Sequence, residues 1–222
     1  MTDTAKPAQQ KVWDAPTRLF HWLIVGLVAF SWWTAEEHMM DWHRPSGFII
    51  VGLLVFRIWW GFAGPATARF SHFVKGPGAI MSYIPKLQAK DYKPAFGHNP
   101  LGALSVVAIL LALVAQVGLG LFAMDKDGLE SGPLARFVSY ETAEEIGDLH
   151  EDAFNILLVL IAVHILAIAF YVVVKRANLI GPMINGRRLA NGEGPGIERV
   201  PVWRFLLGLV LAIGVSAWLF TL

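Results

Sequence analysis

The chain has no cysteine. That excludes disulfides, thiolate metal ligands, iron–sulfur clusters and the Cys-x-x-Cys-His attachment of a covalent haem. Any haem has to be held non-covalently, with histidine as the obvious ligand and methionine in reserve. Charge is also scarce. Asp, Glu, Lys and Arg make up 16% of the 222 residues, against about 25% in soluble domains. The formal net charge of +1 offers no basis for binding nucleic acid, and none is expected. No repeat or low-complexity segment is evident. Nor is a signal peptide, because no small-residue cleavage site follows a short apolar run.

Apolar length is what the chain has. It is 55% hydrophobic, with mean hydropathy +0.53. Five apolar runs, about 19–35, 43–61, 100–122, 149–174 and 203–219, come near or exceed the roughly 20 residues that cross a bilayer as a helix. The fold expected is all-α, an integral membrane helical bundle of five transmembrane helices. Residues 1–16 are polar and expected to be loosely ordered; 17–222 form one transmembrane domain. Segment 66–97 mixes Arg69, Lys75, Lys86, Lys90 and Lys93 with apolar residues, and Gly76-Pro77-Gly78 breaks it. It reads as two short amphipathic pieces on the membrane surface.

Lys and Arg collect in the N-terminal segment, in 66–97 and in 175–204. With five alternating spans all three lie on one side. The positive-inside rule makes that side the cytoplasm, with the N-terminus inside and the C-terminus in the periplasm. The loop 125–147 is acidic and falls outside.

Ionisable side chains within a membrane span point to function. His150 and His164 are fourteen positions apart on the fourth run. They share a helix face to within roughly 40° and lie about 21 Å apart along the axis. His21 begins the first span on the inner side, and His43 begins the second on the outer side. If the intervening turn peaks near Met39, His43 is level with Ala35, fourteen residues beyond His21. Depth therefore pairs His43 with His150 and His21 with His164. The alternative is unrelated histidines, some interfacial and some hydrogen-bonded in a bundle. Two stacked bis-histidine sites suit two haems, because neutral imidazole is a good axial ligand to iron.

Other residues carry weaker signals. His38 lies in the acidic turn and is the rival to His43; His72 reads as interfacial. His98 and Asn99 precede the third span, either as helix-entry residues or as hydrogen-bonding groups of a quinone pocket. Arg18, Arg44 and Arg57 are candidates to pair with haem propionates. Arg57 sits in the apolar stretch Leu53-Leu-Val-Phe-Arg57-Ile-Trp-Trp and could instead snorkel to the surface. Asn155 reads as an interhelical hydrogen-bonding group.

Several stretches resemble the bacterial cytochrome b561 superfamily, in particular the cytochrome b subunits of membrane nickel–iron hydrogenases. They are Val12-Trp-Asp-Ala-Pro-Thr-Arg-Leu-Phe-His21-Trp, His43-x-x-x-Gly47, Phe56-Arg57-x-x-Trp60-Gly61-Phe62, Gly97-His98-Asn99-Pro100-Leu101-Gly102, and His150 with His164. The resemblance covers about 12–186. It implies two b-type haems in a four-helix core on His21, His43, His150 and His164. It also implies a quinone near the inner haem, around His98 and Asn99. The fifth span, which carries no histidine, is expected to pack outside that core or against a partner.

The function this favours is electron transfer across the bacterial cytoplasmic (inner) membrane. The chain would link the quinone pool to a periplasmic c-type cytochrome or another redox subunit. A stand-alone superoxide:quinone oxidoreductase is an alternative, though acidic outer loops would repel superoxide. A non-redox transporter or scaffold is a third reading, but broken helices and repeats are not apparent.

Overall fold

The computed structural model describes residues 8–89, 92, 95–190 and 197–222. Five helices are long and apolar enough to cross a membrane: α1 (Ala15–Glu36), α2 (Met40–Ala63), α5 (Pro100–Phe122), α6 (Tyr140–Val173) and α8 (Val202–Leu219). Between α2 and α5 lie the short helices α3 (Phe70–Phe73) and α4 (Pro77–Gln88). Between α6 and α8 lie α7 (Ile180–Asn185) and a strand, β2 (Arg187–Ala190). The starts are chemically marked. Pro16 and Pro100 occupy first-turn positions where a missing N–H costs nothing. Asn99 Oδ1 accepts from Gly102 N at 2.7 Å, and Ser139 Oγ accepts from Thr142 N at 3.2 Å. α3 ends at Phe73, and Gly76 and Pro77 open α4, so the Gly-Pro-Gly break does separate two short helices.

Two expectations need correcting. The fourth span begins nine residues earlier than its apolar run, so Glu141, Glu144 and Glu145 belong to α6 and not to a loop. Hydropathy detects the lipid-buried part of a helix and is blind to a capped, acidic turn projecting into water. Carboxylates near a helix N-terminus complement its macrodipole and favour that extension. The N-terminal segment is also not all loose. Ala8–Lys11 form a strand, β1, antiparallel to β2, with Gln9 opposite Leu189 and Lys11 opposite Arg187. The remainder of that call, residues 1–7, lies outside the described residues, as do Lys90 and Lys93.

Contacts at the two ends fix which connections share a side. The β1–β2 pair joins the N-terminal segment to the α6–α8 connection. Arg69 meets Glu198 at 2.9 Å, and Arg188 Nη1 donates to Ala95 O at 2.9 Å, so the α2–α5 connection is at the same end. At the opposite end Arg44 on α2 meets Glu130 of the α5–α6 connection at 3.4 Å. The three basic segments do lie together.

Outward faces are apolar along the spans, as at Leu23, Val159 and Val210, which suits lipid and not water. The interior cluster is Phe20, Ile24, Ile50, Leu54, Leu113 and Leu157, drawn from α1, α2, α5 and α6. α8 packs along α2 outside it. Gly52 faces the Ala212 backbone, where a Cβ would approach O to 2.8 Å, and Gly208 faces Trp59, where a Cβ would approach Cδ1 to 2.4 Å. Phe56 and Trp60 cross Phe205 at ring distances of 5.8 and 6.1 Å.

Gly208→Val should therefore lower the thermal unfolding midpoint, at the roughly 1–3 kcal/mol typical of overpacking. Gly214→Ala, whose Cβ enters open space, should leave it unchanged. Equal midpoints for the two variants would remove this account of the α2–α8 contact.

Candidate functional site

The histidines occupy two levels. At one level His43 on α2 faces His150 on α6, with ring centroids 6.2 Å apart and planes at 88°. His43 Nδ1 lies 2.9 Å from the Ser31 carbonyl on α1. His150 Nδ1 lies 2.9 Å from the Gln116 carbonyl on α5. A carbonyl only accepts, so both Nδ1 atoms carry the proton and both Nε2 atoms keep a lone pair. Gly120 makes room for His150, since a Cβ there would meet Cε1 at 2.8 Å. The Gln116 amide lies against the same ring, with Nε2 3.2 Å from His150 Nε2, while its Oε1 is buried and has no hydrogen-bond partner among the described residues.

At the other level stand His21 on α1 and His164 on α6, close enough that a charge on one would act on the other. Ser105 Oγ on α5 approaches His164 Nδ1 to 3.3 Å. His21 Nδ1 is buried without a hydrogen-bond partner among the described residues. Leu157, 1% exposed and seven residues from both His150 and His164, belongs to the apolar layer between the levels.

The remaining candidates fall out as follows. His38 is exposed in the α1–α2 turn with φ 55°. His72 is exposed on α3. Asn155 is exposed and makes no hydrogen bond among the described residues, which corrects the interhelical reading. It is five residues past His150, roughly 140° round the helix. Arg44 is partly exposed and paired with Asp41 at 3.6 Å as well as with Glu130. Arg18 donates from Nη1 to the Ile184 carbonyl, and its Nε is buried without a hydrogen-bond partner among the described residues.

Arg57 does not snorkel. It is 3% exposed, donates to Ala68 O at 3.4 Å and lies over the Phe70 ring at 5.0 Å. Gly61 leaves space for that ring. Its electrostatic counterpart is Asp14, which accepts from Trp60 Nε1 at 2.7 Å. The two aromatic-rich stretches containing Asp14 and Arg57 thus meet at one buried site. Sequence reasoning gave Asp14 no role. The available signal was a carboxylate between Trp13 and a helix-opening Ala15-Pro16.

His98 joins this region. Its ring lies between Trp13 at 4.6 Å and Phe73 at 4.5 Å, and its Nδ1 is buried without a hydrogen-bond partner among the described residues. Asn99 is largely committed to capping α5. A hydroxyl cluster, also missed, stands nearby. Tyr83 Oη lies 2.8 Å from Tyr92 Oη and 3.0 Å from Tyr171 Oη. Burial pushes the Tyr83 phenol well above its ordinary range.

These features define a multi-pass helical membrane protein with paired histidines at two depths. The chain belongs to the prokaryotic cytochrome b561 family, whose match spans residues 12–186. It is similar to the probable Ni/Fe-hydrogenase B-type cytochrome subunits of Azotobacter chroococcum mcd 1 and Azotobacter vinelandii. Each is 22% identical over 218 residues, covering 83% of this chain and 90% of the relative. No solved structure matches. The family is one of b-type cytochromes that carry electrons in membranes, and so implies haem b.

The residues fit that group. A metal–imidazole bond is roughly 2 Å and a ring centroid lies roughly 1 Å behind its nitrogen, so two imidazoles on one iron have centroids roughly 6 Å apart. His43 and His150 meet that spacing. Metal-bound histidines characteristically donate their other N–H to a carbonyl, as both do. Among the described residues no group of three His, Asp or Glu side chains could hold a bare metal ion; pairs are what a porphyrin iron needs.

Burial pushes the His98 imidazole down to about 3, with the charge of Arg57 and then His164 adding to the effect. Its folded pKa lies below the ordinary 6.5, so the unfolded chain takes up the proton first. Stability is then lost as pH falls below about 6.5, by up to about 1.4 kcal/mol per pH unit. Thermal unfolding in detergent between pH 7.5 and 4.5 should show this acid limb, and His98→Gln should flatten it. An unchanged slope in the variant would assign the limb to other groups.

Proposed function

We propose that the chain is a dihaem cytochrome b that carries electrons across the bacterial cytoplasmic membrane, between the quinone pool and a redox partner on the periplasmic face. Haem supplies one-electron chemistry when bound; the protein sets its depth, axial ligands and surroundings. In this reading His43 and His150 hold the outer haem and His21 and His164 the inner one. The core is α1, α2, α5 and α6, with α8 outside it. The observation that carries the proposal is the His43–His150 pair, whose centroid spacing and carbonyl-bound Nδ1 atoms prepare both Nε2 atoms as ligands.

Arg18, Arg44 and Arg57 are the proposed partners of haem propionates, and Arg18 supports the role best through its free Nε. A quinone is proposed at the inner end, where His98 offers an unpaired nitrogen close to His164. The asymmetry of basic residues supports a cytoplasmic N-terminus and a periplasmic C-terminus. The outer end, where the acidic first turns of α6 project, would then face the partner. The similar Azotobacter proteins are named as hydrogenase subunits, so a hydrogenase or comparable respiratory oxidoreductase is the first partner to test. A c-type cytochrome steered by the acidic end is the second.

A reduced-minus-oxidised spectrum with haem quantified per chain is the direct test. Two low-spin, non-covalent haems are expected. His43→Ala and His150→Ala should each lose one and the same haem, and His21→Ala and His164→Ala the other. His38→Ala should keep both. One haem in the parent protein, or loss of a haem with His38→Ala, would break the pairing.

A further inference from the structure

A cavity of about 450 Å³ opens where α6 ends, bounded by the turn after it, α7 and the β1–β2 pair. Arg176, Arg187 and Arg188 line it together with the carboxamides of Gln9, Asn178 and Asn185, and among the described residues no carboxylate does. Among the described residues no carboxylate lies within ion-pair distance of any of the three arginines. Arg188 Nη1 is used on the Ala95 carbonyl, and Arg187 Nη1 makes only a 3.4 Å contact with Gln9 Oε1.

Arg176 has φ 51°, a left-handed conformation that is unfavourable for a non-glycine residue. The position closes α6 and would suit glycine. Holding an arginine there places a third guanidinium at the cavity.

The cavity lies at the membrane boundary. Trp22 Nε1 on the first turns of α1 donates to Met183 O of α7 at 3.1 Å. Beside the arginines, Val173 is 73% exposed and Ile184 60% exposed. A cationic recess with hydrogen-bonding amides and an adjoining apolar rim matches a molecule that is anionic at one end and aliphatic at the other. Guanidinium forks suit phosphate oxygens, and basic pockets at helix ends are a recurring site for acidic headgroups.

We propose that this cavity binds the phosphodiester headgroup of an anionic phospholipid, phosphatidylglycerol or cardiolipin, with its acyl chains along the exposed end of α6 and α7. A zwitterionic lipid would bring an ammonium group against three guanidiniums. Free phosphate would gain nothing from the rim.

The test uses delipidated full-length protein in a neutral detergent, with unfolding followed by tryptophan fluorescence. Phosphatidylglycerol, phosphatidylcholine of the same chains, or inorganic phosphate is titrated. Phosphatidylglycerol should raise the midpoint with a half-saturating concentration about tenfold below that of phosphatidylcholine. In Arg176→Gln/Arg187→Gln the preference should shrink to roughly twofold. Equal responses to the two lipids would overturn the proposal, as would an inorganic phosphate response matching that of phosphatidylglycerol, or a tenfold preference surviving in the variant. If the variant does not fold, lipid extracted from the gently purified parent decides. Enrichment of anionic phospholipid over the surrounding membrane supports the site, and bulk composition refutes it.

Discussion

A hydrogen-bonding group inside a bilayer has no water to turn to, so leaving one without a partner in the protein is costly. The bonds from His43 Nδ1 to the Ser31 carbonyl and from His150 Nδ1 to the Gln116 carbonyl answer that constraint. Each satisfies a buried donor, fixes a tautomer and leaves Nε2 with its lone pair. Each also joins two helices, α1 with α2 and α5 with α6. The 6.2 Å spacing of the rings depends on both hairpins being held at that depth, and Gly120 allows the close approach on the α5 side.

The two histidine levels are kept apart by apolar packing and surrounded differently. Leu157 and its neighbours fill the layer between them, and no charged side chain belongs to it. Beside the His21–His164 level, by contrast, stand Arg57, Asp14 and His98. A buried guanidinium is tolerable only with compensation. Here that comes from the Ala68 carbonyl, the face of Phe70 and the charge of Asp14. Electrostatic effects are strong where water is excluded, so the two levels present different environments to anything held there. Such asymmetry is what a one-dimensional electron path needs if its sites are to differ in potential.

Much of this was legible in the sequence because the membrane simplifies the code. Five apolar runs gave five spans, and the start of α5 at Pro100 was found to the residue because a proline and a capping Asn99 mark it. The pairing of His43 with His150 followed from counting residues and alternating directions. What could not be read was tertiary. The start of α6 lies in water, where hydropathy is silent. β1 is four residues long and exists only through pairing with β2, about 180 positions away. Asp14 and Gln116 acquire meaning only once Trp60 and His150 are placed beside them. Asn155 illustrates the converse: its depth suggested an interhelical bond, but its angular position on α6 turns it outward.

Polar pairs also answer a question that apolar surfaces cannot. Between helices in lipid there is little hydrophobic drive, and side chains as alike as Leu, Ile and Val specify axial position weakly. Hydrogen bonds have direction and short range, and they occur here at two depths in each hairpin. In α1–α2, Ser31 meets His43 at one end and Asp14 meets Trp60 at the other. In α5–α6, Gln116 meets His150 at one end and Ser105 meets His164 at the other. Sliding either hairpin by one residue would move its contacts by about 1.5 Å along the axis and rotate them by about 100°, breaking both bonds at once. The register that satisfies the buried donors is therefore the register that brings the histidines together across the bundle. Asp14 lies seven residues before His21, so a motif at the edge of the membrane helps to fix the level of a histidine two turns inside it.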